Sequence, residues 1–76
     1  MDPWYLIVRT PVPTCDIYPV GDNTDPDVTT AYVAAARIIH QVPGGWLDIP
    51  GWDLSLTQGE PHPGLVGTRR DSPPTV

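Results

Sequence analysis

The stretch DPDVTTAYVAAARIIHQVPGG, residues 25–45, admits little besides a single helix, and the rest of the chain has to be built around it. Asp25 suits an N-cap, Pro26 the first helical position, where its missing donor costs nothing, and Asp27 the positive end of the helix dipole. Val28, Ala31, Tyr32, Ala35, Ile38, Ile39 and Val42 follow the three-four spacing of one apolar face. Pro43-Gly44-Gly45 ends the element. The pattern predicts a helix over 26–41 with Ile38 and Ile39 facing the core.

The segments on either side read as strands. WYLIVRT, 4–10, is a bulky β-favouring run bounded by Pro3 and Pro11 and predicts a buried strand. TCDIY, 14–18, alternates Cys15 and Ile17 against Asp16 and Tyr18, lies between the prolines at 11 and 13 and Pro19-Val20-Gly21, and predicts a short strand at an edge. After the helix, VPGGWLDIPGWDLSL places two tryptophans behind glycine turns and predicts the strands WLDI and WDLSL. A tight hairpin about Pro50-Gly51 would set Asp48 opposite Asp53, and like charges directly opposed are destabilising. Pro-Gly also favours a type II turn, which splays strands, so an open corner is expected. From Gln58 the periodicity ends in QGEPHPGLVGTRRDSPPTV. The expected organisation is a small α+β domain over 1–57, one helix packed on a short mostly antiparallel sheet, followed by an extended Pro/Gly-rich tail over 58–76.

A chain of 76 residues supports a small core and little room for a deep catalytic cleft. The single Cys15 allows no internal disulfide, and no cysteine pairs with zinc-site spacing exist, so a partner chain is the expected support. No apolar run approaches the roughly 18 residues of a membrane span, and Met-Asp-Pro-Trp lacks the basic region of a signal peptide. A cytoplasmic or virion location is expected. The net charge of −5 falls on residues 1–57, which hold seven Asp against two Arg, while 58–76 sums to zero. Such a surface repels phosphates, which disfavours nucleic-acid and anionic-membrane binding.

Motifs for chemistry are sparse. DNTDPD places Asn23, Asp25 and Asp27 at alternate positions, but an EF-hand loop in that register would need Gly and Glu where Val28 and Ala34 stand, so helix capping explains the acids better. His40 fits a favourable charge at the helix C-terminus, His62 lies between two prolines, and Cys15 reads as a small buried hydrophobe. No phosphate-cradling glycine loop, nucleophile elbow or paired-histidine metal motif is present. No catalytic residue, cofactor or metal is therefore expected.

Three Trp among 76 residues is high, and a core without Phe needs Trp and Tyr for bulk, so Trp4 is expected inside and Trp46 or Trp52 at an interface. In the tail, Leu65 and Val66 offer an apolar anchor, and Arg69 and Arg70 a bidentate contact to a carboxylate. The expected function is non-enzymatic: an interaction protein, a structural or accessory component of a larger assembly such as a phage virion, binding a protein partner or further copies of itself through Trp46, Trp52, Leu65, Val66, Arg69 and Arg70. The alternative is a free acidic inhibitor or immunity-type protein that blocks a basic surface of a target.

Overall fold

A computed structural model describes residues 2–12, 14–22 and 25–76; Met1, Pro13, Asn23 and Thr24 lie outside the described residues. The order of elements is β1 (Trp4–Arg9), β2 (Cys15–Gly21), α1 (Pro26–Ile39), a 3-10 turn at Trp46–Asp48, β3 (Asp53–Gln58) and β4 (Thr68–Arg69). The strands form one sheet in the order β3-β1-β2-β4. β1 runs antiparallel to both β2 and β3, and β4 joins β2 in parallel. The chain is thus α+β, with one helix on a small mixed sheet.

The alternation along β1 puts Trp4, Leu6 and Val8 toward the helix and Tyr5, Ile7 and Arg9 on the opposite face. Leu6, Val8, Tyr18, Val20 and Ala36 form the core between sheet and helix, with Trp4, Tyr32, Val33 and Leu54 packed around it. Ile7 and Ile17 are also buried, on the face away from the helix. Their cover is the connection from β3 to β4: the two strands stand at opposite edges, and the chain between them crosses that face, with Pro61 buried and Leu65 half-buried. At Gly67 it passes so close to β2 that a Cβ there would meet the Cys15 carbonyl oxygen at 2.8 Å, so only glycine fits without displacement.

Several expectations change. β2 is not an edge strand but lies between β1 and β4, and it continues through Pro19 to Gly21. Proline is tolerated there because Thr10 donates to the Thr14 carbonyl, a phase that makes Tyr5–Pro19 a non-hydrogen-bonded pair. The missing N–H then points away from β1, at a position β4 does not reach. WLDI is not a strand; Trp46–Asp48 winds into a 3-10 turn preceded by Gly45 at φ 73°. Asp48 therefore never opposes Asp53, which pairs across the sheet with Arg9.

The helix starts as expected, with the Asp25 carboxylate accepting from the Asp27 amide at 3.0 Å and Pro26 in the first turn. Its buried face is only partly the expected one: Ala35 is buried and Val28 and Tyr32 are half-buried, but Ala36, outside that face, is buried while Ile38 is 62 % and Ile39 42 % exposed. It also stops before Pro43. Gln41 takes φ 53°, its amide donates to the Ile38 carbonyl and the Val42 amide to the Arg37 carbonyl, which is a Schellman closure with glutamine where glycine is usual.

Finally, residues 59–76 do not hang free as a tail. Beyond β4 the Arg70 amide donates to the Ile17 carbonyl at 2.9 Å, and Pro74 is buried where the chain returns to the helix side of the sheet, beside Tyr18 and Ile39. The C-terminal quarter wraps the domain from one face to the other.

Candidate functional site

The polar centre of the molecule lies where β2, the end of α1 and the chain after β4 converge. Asp16 and Tyr18 stand two apart on β2 and so share the helix-facing side of the sheet. His40 caps α1, and the Schellman closure at Gln41 fixes its position. Arg70 is delivered by the backbone bond to Ile17.

Asp16 is 8 % exposed. Its Oδ1 accepts from Arg70 Nη2 at 2.9 Å and Nε at 3.1 Å, and its Oδ2 lies 3.4 Å from His40 Nε2. The same His40 nitrogen is 2.9 Å from the Tyr18 hydroxyl, and the two rings meet edge to face at 5.9 Å. Burial, and then the negative charge of Asp16, raise the Tyr18 pKa above the ordinary phenol value of 10.0, against a smaller opposing effect of Arg70. The phenol is held protonated.

Beside the cluster is an open depression of about 370 Å³ lined by Tyr18, Ile39 and residues 70–75. Chemically the arrangement is a clasp rather than a proton relay. In a catalytic triad the carboxylate and the nucleophile engage different ring nitrogens, so that the imidazole passes a proton between them. Here Asp16 and Tyr18 both meet Nε2, so the ring has no such path from one to the other. Among the described residues, no group of three or more His, Cys, Asp or Glu side chains is placed to hold a metal ion; Asn23 of the DNTDPD stretch lies outside those residues.

The residues singled out in the sequence are scattered. Trp46 is half-buried with the Arg37 guanidinium 5.9 Å above its ring, and Trp52 is half-buried in the loop before β3. Leu65 is half-buried in the crossing segment, whereas Val66 is 88 % exposed. Arg69 binds Glu60 at 3.1 Å and sits 5.9 Å from the Tyr5 ring, and Glu60 also accepts from the Tyr5 hydroxyl at 2.9 Å. That bond to Glu60 is the main reason the Tyr5 pKa is raised. Arg70 is the one expected contact residue that belongs to the central cluster, and its carboxylate partner is Asp16 of the same chain. Asp16 and Tyr18 are not distinguished by the sequence, and His40 reads there only as a charge at the helix C-terminus: the three lie up to 54 positions from Arg70, and no local motif links them.

No protein-family model, curated protein or solved structure matches the chain. Among the described residues no helix is long and apolar enough to cross a membrane.

Proposed function

We propose that the chain acts by binding another protein rather than by chemistry, as a structural or accessory component of a larger assembly such as a phage particle. The observation that supports this most is the set of aliphatic side chains left uncovered around the C-terminal end of α1: Ile38 at 62 %, Ile39 at 42 % and Leu47 at 80 % exposure. Fully covering a Leu or Ile side chain is worth about 1.5–3 kcal/mol, and three such side chains uncovered at one end of one helix form a patch that a partner could cover. Trp46 under Arg37 borders the same region, and Trp and Arg are the residue types most enriched where binding energy concentrates. Arg69 and Arg70, already paired within the chain, are assigned to holding the fold, so the docking surface moves from the tail to the end of the helix.

The acidic-inhibitor alternative draws on Asp22, Asp25 and Asp27, all exposed around the opposite end of α1. The two separate by salt dependence. Immobilised chain should retain a specific protein from an extract of its source cells at both about 0.05 M and about 0.5 M salt, where surface charge is largely screened. The double variant Ile38→Asp, Leu47→Asp should lose that protein while melting within a few degrees of the parent. Retention of the same protein by the variant overturns the proposal, and release at high salt transfers the function to the acidic end.

A further inference from the structure

β3 is an edge strand, and the phase of its pairing is determined. The Gly59 amide donates to the Pro3 carbonyl at 2.7 Å, which makes Pro3–Gly59 a hydrogen-bonded pair in the antiparallel ladder with β1. Counting back by twos, Thr57, Ser55 and Asp53 also direct their backbone groups at β1. Leu54, Leu56 and Gln58 therefore direct theirs outward, away from the sheet. Among the described residues no strand but β1 pairs with β3.

Sheet edges are usually protected by proline, lysine or a bulge. β3, DLSLTQ, has none of these, and its central Leu56 is 39 % exposed on the helix-facing side. We infer that this edge pairs with the β3 edge of a second copy, antiparallel about a two-fold axis through Leu56.

Only like faces meet when a sheet continues across an axis perpendicular to it, so a residue must sit on the axis. With Leu56 there, Leu56 opposes Leu56 of the second copy, Leu54 opposes Gln58, and all the outward amides and carbonyls pair, giving about six hydrogen bonds. With Ser55 on the axis only about four form and the Gln58 groups are left over. The Leu56 register also brings the two exposed leucines together and sets Ser55 opposite Thr57. The one charge on the strand, Asp53, falls opposite Gly59, so a chain of net charge −5 meets itself there with no like charges opposed. An unrelated extended segment would find the backbone match but not this side-chain match. The inference is independent of the docking surface at the end of α1, which uses other elements.

Sedimentation of the full chain up to about 1 mM should show a concentration-dependent dimer. Leu56→Lys, which places two ammonium groups at the axis on a half-exposed site, should remain folded by circular dichroism and be monomeric. In a Cys15→Ala background, Leu56→Cys should oxidise to a disulfide-linked dimer, since opposed residues of such a pair lie about 5.5 Å apart at Cα, while Leu54→Cys should not. A wild type that stays monomeric, a Leu56→Lys chain that still dimerises, or crosslinking as fast at 54 or at Ser55→Cys as at 56 overturns the inference.

Discussion

Gln41 carries the backbone reversal that ends α1, at a φ of 53° that an L side chain adopts at a cost of about 1–2 kcal/mol. Gln41→Gly should therefore raise stability by about 1 kcal/mol, read as a shift in the urea midpoint at constant m. The central cluster makes an asymmetric expectation. Arg70, whose side chain is 47 % exposed, recovers water if Asp16 is removed, whereas Asp16 remains buried if Arg70 is removed. Arg70→Ala should thus cost about 2 kcal/mol, more than Asp16→Ala. Tyr18 contributes to the pH dependence in alkali: because its pKa is higher folded than unfolded, the folded state holds this proton more tightly. The resulting stabilisation is complete below the unfolded value of about 10 and is lost as pH rises through the folded one. Tyr18→Phe should flatten the fall in stability above pH 10, measured by urea titrations on either side of it.

At the scale of elements, the start of α1 is legible in the sequence because capping is local: Asp25, Pro26 and Asp27 act within one turn. The buried face is legible only in part: the spacing places Tyr32 and Ala35 on it, but it ranks Ile38 and Ile39 above Ala36, while contact with the sheet selects for size. The helix lies against the sheet through small Ala36, which is 0 % exposed, and swings the isoleucines outward. Ala36→Leu should then destabilise by about 1–3 kcal/mol through overpacking, while Ile38→Asp should change the melting temperature little. A chain in which Ile38→Asp unfolds and Ala36→Leu does not would restore the face that spacing alone suggests. β1 was legible from its uninterrupted apolar run. β2 was legible as a strand but not as an interior one, because an alternating strand with an acid reads as half-exposed when both its faces are covered, one by the helix and one by a segment more than forty residues later.

For the whole molecule, the decisive fact is that residues 59–76 complete the fold. Pro-rich, neutral and aperiodic, they have the composition of a tail, and nothing local signals that Pro61, Gly67, Arg70 and Pro74 meet the domain at successive points from one sheet face to the other. Proline stiffness is what makes such wrapping economical, since the chain loses less conformational freedom when it orders. Removing 59–76 would expose Ile7 and Ile17 and leave Asp16 with no guanidinium, so the truncated chain should lose its cooperative melt rather than remain as an independent domain. The most direct measurement is amide hydrogen exchange of the intact chain at Arg70. Bonded to the Ile17 carbonyl, in a residue whose guanidinium is clasped by Asp16, that amide should be protected to nearly the same degree as Leu6 and Val8 of the central strand. Exchange of Arg70 at the rate of an unstructured peptide, with β1 still protected, would show the segment detached and contradict the account.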